Sequence, residues 1–266
     1  LGDGMTKAAP RLVFLHVPRT GGTTLHHHLA AHFAPNEVCP ERFSRLGKYS
    51  PDQLEKWRFF SGHFNADEIR LIPGPLFIVT ILRNPIERLL SNYYFWKRHR
   101  PEVIEEHTLN GPRLMKSGNL KDFLRSSHGE VLDSTNNMVA RRFAGQVFAW
   151  PDGRWRARVG DKGFEVTDME IVQRALRNLL TFQVFDDASC LHDIYTRVAQ
   201  AFGMKPLDAI ARLNSRDEIN QRLEAVQLEE ITPEIQDMLD QRTHLDRIVY
   251  KLALNHTRMV RRGSVA

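Results

Sequence analysis

The sequence predicts an α/β fold: a three-layer sandwich with a central parallel sheet. Three observations carry that expectation. An apolar run, Leu12 to Leu15 with Val17, stops at Pro18 and a glycine turn, then resumes as a helical stripe of Leu25, Leu29 and Phe33. A second run, Leu76 to Leu82, is apolar on both faces, as a central parallel strand is, and also leads through a short turn into a helix. Strands and helices alternate along the rest of the chain, with no internal repeat or low-complexity tract. The 266 residues, 42% of them hydrophobic, are enough for one large domain of this class. A tail is expected over residues 1–10, a single domain over 11–258 and a basic tail over 259–266. Leu1 to Gly4, ahead of Met5, read as a non-native scar.

Taken in order, the first strand is expected over Arg11–Val17 and its helix over Thr23–Ala34. Arg19, Thr20, Gly21, Gly22, Thr23 and Thr24 lie between them. Backbone N–H groups, hydroxyls and a guanidinium then converge at a helix N-terminus, which binds an anion, most often phosphate. His28 and His32 have the i, i+4 spacing of metal ligands, but a partly exposed helix surface explains them, and no metal is expected. Ser50-Pro51-Asp52 caps a short helix. Trp57 to Phe60 reads as a strand running into Ser61-Gly62-His63-Phe64. A histidine at that point either projects into a cleft or caps the following turn.

The strand Leu76–Leu82 ends in Arg83-Asn84-Pro85, where Asn84 suits an N-cap and Pro85 the first helical position. The helix continues to about Lys97. Arg83 sits at a strand's carboxyl end, and Ser91 follows two turns into the helix, giving a second set of anion donors. Open α/β sheets bind ligands at the carboxyl ends of their strands, so both turns are expected to face one crevice.

Further on, helices are expected at Asn119–Ser127 and Ser134–Phe143. Residues 146–166 read as a long loop or hairpin in which Arg154, Arg156 and Arg158 surround Trp155. That alternation suits an anionic, ring-shaped acceptor. It equally suits a solvated basic hairpin with one tryptophan anchored in the core. Thr167 to Glu170 is a capping box opening a helix to Leu180, Phe182–Phe185 a short strand and Ser189–Phe202 a helix. Leu213 to Arg216 is a polar break, and Thr232-Pro233 opens the last helix.

The net charge of +5 favours an anionic ligand, but it is too evenly spread to favour nucleic acid. Two cysteines, Cys39 and Cys190, make no disulfide framework and fit a reducing compartment. No apolar run reaches membrane length and no signal peptide is visible. A cytoplasmic, bacterial-type protein is expected, with the Golgi lumen as the alternative if an anchor has been removed.

The anion chemistry narrows by elimination. The kinase and triphosphatase pattern G-x-x-x-x-G-K-[ST] is absent, and so is G-x-G-x-x-G. Two separate phosphate sites without a metal signature suggest a bisphosphorylated nucleoside. At this point the sequence resembles the sulfotransferases. Val17 to Thr24 resembles their 5′-phosphosulfate loop, and Arg83 to Phe95 resembles their 3′-phosphate motif, R-[DN]-P-x-x-R-x-x-S. Phe60 to Phe64 and Asn137 to Gly145 are similar to stretches of the heparan and uronyl 2-O-sulfotransferase branch.

The resemblance implies a P-loop-NTPase-like sulfotransferase fold and the co-substrate 3′-phosphoadenosine 5′-phosphosulfate, with adenosine 3′,5′-bisphosphate as product. It sets Arg19 at the bridging oxygen, Thr20, Gly21, Gly22, Thr23 and Thr24 on the 5′ group, and Arg83 and Ser91 on the 3′-phosphate. Ser215 and Arg216 join the 3′-phosphate by a weaker match. His63 stands where the family has its catalytic base. The family's loop cation is commonly lysine; Arg19 is a fixed-charge fork that stabilises a leaving phosphate without donating a proton. No metal is required. The basic segment from Arg141 to Arg158, with Arg141, Arg142 and Trp155 as contacts, points to an acidic glycan as the acceptor, while a protein tyrosine, a lipid-linked sugar or a small alcohol fits the donor motifs equally well. Two alternatives stand beside this: a P-loop-like nucleotide kinase and a non-catalytic nucleotide-binding module.

Overall fold

The apolar run after Pro10 forms β1 (Arg11–Leu15), one of two inner strands of a four-stranded parallel sheet, in the computed structural model, which describes residues 9–150, 152–159, 162–210 and 222–263. On one side β1 pairs with β2 (Phe59–Gly62), Leu12 opposite Phe59 and Leu15 opposite Gly62. On the other it pairs with β3 (Leu76–Leu82), Leu15 opposite Thr80. β3 in turn pairs with β7 (Val184–Asp187), Val79 opposite Val184. The order is therefore β2-β1-β3-β7.

Parallel pairing requires crossover connections, and these cover both faces of the sheet. Alternate side chains of a strand point to opposite faces, so one strand feeds two cores. Leu12 and Phe14 pack with Leu25 and Leu29 of α1 (Gly22–Ala30) and Ile194 and Val198 of α11 (Leu191–Phe202). Val13 and Leu15 face the other way, into a core shared by α9 (Met138–Ala144), α10 (Asp168–Leu179) and α12 (Pro233–Gly263). The three layers expected from the sequence are thus present.

The caps read from the sequence are in place. Ser50 accepts from the Gln53 N–H at the start of α2 (Pro51–Glu55). Asn84 Oδ1 accepts from Ile86 and Glu87 at the start of α4 (Pro85–Lys97). Thr167 and Glu170 cap α10 reciprocally. A third core joins Leu89 and Tyr93 of α4 to Phe123 of α7 (Leu120–Arg125) and Leu239 of α12.

Several elements differ from expectation. Between α4 and α7 the chain forms two short helices, α5 (Pro101–Glu106) and α6 (Asn110–Met115). The helix expected over Ser134–Phe143 is divided into α8 (Gly129–Thr135) and α9. The break falls at Asn137, a buried residue in the left-handed region at φ 49°. Its Oδ1 accepts from the Leu245 N–H at 2.8 Å and its own N–H donates to Arg242, so the α9–α12 contact replaces the helical bonds. The described residues of 146–166 are more than a lone hairpin. They build an antiparallel sheet of β4 (Val147–Ala149), β5 (Trp155–Val159) and β6 (Lys162–Val166). The last helix continues past residue 258 to Gly263, and Arg261 pairs there with Asp186 at 2.6 Å and Asp193 at 2.5 Å.

Replacing Asn137 by alanine removes the acceptor that two main-chain N–H groups of α12 use, and it places a Cβ residue without local bonding in the left-handed region. The expected loss is about 3 kcal/mol in urea unfolding; a loss below about 1 kcal/mol would mean that Asn137 does not hold α9 to α12.

Candidate functional site

The turn after β1 is shaped by two left-handed residues. Arg19 has φ 69° and Gly21 φ 89°, and α1 begins at the next residue. Gly22 is required by contact: a Cβ there would lie 2.1 Å from the His16 ring. Thr20 is buried and donates its hydroxyl to the Val17 carbonyl at 2.9 Å, which closes the turn from inside. No side chain caps α1 at Gly21, and the Thr24 N–H turns back to the Gly21 carbonyl at 3.2 Å.

The second turn meets the first directly. Arg83 Nη1 donates to the Arg19 carbonyl at 3.0 Å. Arg19 Nε donates to Ser91 Oγ at 3.3 Å, and its guanidinium lies 4.2 Å from the centre of the Phe95 ring. Burial, then the charges of Arg83, Arg98 and Arg88, lower the Arg19 pKa to about 10. Arg19 stays charged at neutral pH, and the cations crowded around it favour an anion in the crevice.

His63 follows β2 and is held on all sides. Its main-chain N–H donates to the Arg42 carbonyl at 2.8 Å, and its own carbonyl accepts from Ser44 Oγ at 2.7 Å and from Arg142. Its Nδ1 lies 2.7 Å from the His16 carbonyl. A carbonyl only accepts, so Nδ1 carries the proton and Nε2 of the neutral ring is the free base. The ring stands 4.6 Å from the His16 ring and 6.0 Å from that of Phe43, which is 61% exposed. Burial, with Arg142 and Arg42, outweighs the bond to His16 and lowers the His63 pKa to about 4. His26, buried against Arg42, is likewise lowered to about 4, and the deeper His16 is held well below its ordinary 6.5.

The residues read as acceptor contacts are placed differently from one another. Arg141 is an interior staple, and this corrects its expected role. Its Nε donates to Asn136, its Nη1 to Val147 and its Nη2 to Leu132 and Asp133, all at main-chain oxygens, and it pairs with the Asp133 carboxylate at 3.5 Å. All five N–H groups are thereby engaged, leaving none for an acceptor. Trp155 is also buried, its Nε1 donating to Asp168 Oδ1 at 2.6 Å, so it is the anchored tryptophan of the alternative reading. Arg142 reaches the site indirectly, through the His63 carbonyl. Ser215 and Arg216 lie outside the described residues. His32 bonds the Tyr195 hydroxyl at 3.1 Å, and no described group of three or more His, Cys, Asp or Glu is placed to hold a metal ion.

Sequence reasoning missed four participants. Phe95 was legible in principle, one helical turn beyond Ser91 on the same helix. His16 follows the last residue of β1, where strand-end residues enter a crevice. Arg42 and Ser44 lie in an irregular segment with no periodic signal.

Comparison with known proteins bears on the same stretch. The sequence model of the Sulfotransferase family matches residues 4–156. A protein-tyrosine sulfotransferase of Arabidopsis thaliana is 37% identical over 86 residues, 32% of this chain and 17% of that protein. A heparan-sulfate 6-O-sulfotransferase 2 of Gallus gallus is 28% identical over 134 residues, 41% of this chain and 33% of that protein. The chain thus matches a third or less of the length of these relatives.

The two histidines at about 4 set a pH dependence of stability. Below 6.5 the unfolded chain binds protons that the folded one refuses, so their contribution is complete above 6.5 and is lost as pH falls toward 4. The melting temperature should drop across that window. His26→Gln should make the drop shallower; an unchanged slope would show that His26 is not held neutral.

Proposed function

This chain belongs to the sulfotransferase family, and from that premise we propose that it moves the sulfuryl group of 3′-phosphoadenosine 5′-phosphosulfate to a hydroxyl of a glycan. The observation that carries the reading is the joining of the two turns, Arg83 to the Arg19 carbonyl and Arg19 to Ser91. One crevice then offers cations and hydroxyls to both phosphorylated ends of a single nucleotide. In this reading Arg83 and Ser91 bind the 3′-phosphate. Arg19 and the N–H groups of Gly21, Gly22 and Thr23 bind the 5′ end, with Thr24 beside them.

The donor supplies an activated sulfuryl group, and transfer is an in-line displacement. The acceptor oxygen bonds to sulfur as the bond from sulfur to the bridging oxygen breaks, and the electron pair leaves with the 5′-phosphate. Fixed positive charge at that oxygen lowers the barrier, because it interacts more strongly as charge develops. Arg19 supplies it without changing protonation state. His63 Nε2 accepts the acceptor's proton, and the His16 carbonyl keeps the ring in the tautomer that can do so. Arg142, Ser44 and Arg42 position His63 by its main chain.

The exposed Phe43 beside His63 suits the apolar face of a sugar, and the heparan-sulfate relative supports the same class. The protein-tyrosine relative favours a second reading in which the acceptor is a tyrosine hydroxyl. Labelled donor offered to oligosaccharides and to tyrosine peptides side by side decides between them.

His63→Ala should lower transfer by about 10²–10⁴-fold while leaving binding of adenosine 3′,5′-bisphosphate intact; near-normal turnover would remove His63 from the mechanism. Arg83→Ala should weaken the donor about tenfold or more, read as its KM; an unchanged value would place the 3′-phosphate elsewhere. Since His63 is neutral down to about 4, the acid limb of kcat/KM should fall near that pH and not near 6.5. A limb at 6.5 would point to another base.

A further inference from the structure

A cationic cleft of about 310 Å³ is lined by Asp67, Arg70, Arg158, Phe164, Arg174 and Arg177. Its volume is that of a small-ligand site. Arg158 and its two companions on α10 lie past residue 156, outside the stretch matched by the family. The cleft is a product of the β4-β5-β6 sheet packing beside α10.

Its walls are bonded in place. Arg70, one residue past α3 (Ala66–Ile69), donates to Asp67 at 2.7 Å and to Asn178 Oδ1 at 2.8 Å, while Asn178 Nδ2 donates to the Phe143 carbonyl at 2.8 Å. Asp67 also accepts from the Gln146 N–H, and the Arg158 N–H donates to the Gln146 carbonyl at 2.9 Å. The nearby carboxylates each have another partner, although Asp67 stands in the cleft wall itself and Glu170 feels the charge of Arg174. Asp67 holds Arg70, Glu165 holds Arg154 at 2.6 Å, and Glu170, one turn before Arg174, closes the cap of α10 on Thr167. Among the described residues Arg158, Arg174 and Arg177 form no ion pair.

A second cleft of about 360 Å³ adjoins the first at Gln146 and Val147, and its walls carry Ser44 and Arg142 together with the carboxylates Glu68 and Asp133. Ser44 and Arg142 are the two side chains that hold the His63 carbonyl. Aromatic surface lies in both clefts: Phe148 is 42% exposed in the second, and Arg174 lies 5.3 Å from the centre of the Phe164 ring in the first.

We propose that Arg158, Arg174 and Arg177 form an anion subsite that holds a carboxylate or sulfate of an acidic oligosaccharide whose hydroxyl is presented to His63. The inference rests on the reading of a glycan acceptor. Guanidinium forks match planar anionic groups, and aromatic faces between them match apolar sugar faces. A polymer that alternates rings with acidic groups offers both in every repeat. The subsite selects the acceptor several ångströms or more from the reacting atoms, so it acts on acceptor affinity and leaves donor binding alone.

The test measures binding of a sulfated, uronate-containing hexasaccharide to the full chain by calorimetry, without donor. Wild type and His63→Ala should bind it equally. The double variant Arg174→Ala/Arg177→Ala should bind about tenfold more weakly. Arg158→Glu, at an exposed position, should do the same with an unchanged melting temperature. A desulfated, carboxyl-reduced hexasaccharide should not bind. Equal affinity for wild type and both arginine variants overturns the subsite, and so does tighter binding of an acidic peptide of the same charge. Binding is read without turnover. A protein that binds the hexasaccharide through these arginines yet sulfates none of its hydroxyls therefore overturns the glycan-acceptor reading and upholds the subsite.

Discussion

The hydrogen bond from Arg83 to the main-chain oxygen of Arg19, 3.0 Å long, is the contact on which the site depends. It crosses between the turns that follow two neighbouring parallel strands. Parallel pairing of β1 with β3 brings their carboxyl ends side by side, so residues 64 apart in sequence meet. The bond works together with Arg19 to Ser91 and with the Phe95 ring under the Arg19 guanidinium. Like charges held this closely repel, and burial lowers the Arg19 pKa to about 10 as a result. The sheet, buried at the carboxyl ends of β1 and β3, keeps the cluster together, and a bound anion is the natural counterweight.

The same sheet controls His63 from its other edge. The residue is clamped by both main-chain groups and one ring nitrogen, which leaves a single free nitrogen. Burial and two arginines then keep that nitrogen unprotonated, at some loss of basicity. An unprotonated ring nitrogen at every physiological pH and high basicity are opposed here. The negative charge of a bound anion would raise the basicity again, because an anion nearby stabilises the protonated ring.

The local parts of this structure were legible because they obey short-range rules. The two strand–turn–helix units, the caps at Ser50, Asn84 and Thr167, and the doubly apolar β3 were all read from spacing and residue type. What escaped was decided by contacts between distant segments. Asn137 breaks a helix because α12 supplies partners for its side chain and backbone. Arg141 was read as a contact because it opens a basic segment, but carbonyl oxygens around the α8–α9 break draw it inside. Residues 146–166 were ambiguous because their strand pattern is short and interrupted by glycine, and pairing with neighbours is what makes them a sheet.

By itself, then, the sequence determined the class of fold, the two turns and the residue types within them, since helix caps, glycine turns and apolar periodicity act over a few residues. Only the tertiary structure decided how those turns face each other, which nitrogen of His63 is free, and which arginines line a cleft and which staple the interior. Those outcomes depend on burial and on partners tens of residues away. One arginine is an interior staple or an open cation according to how many carbonyl oxygens surround it, and no local pattern carries that number.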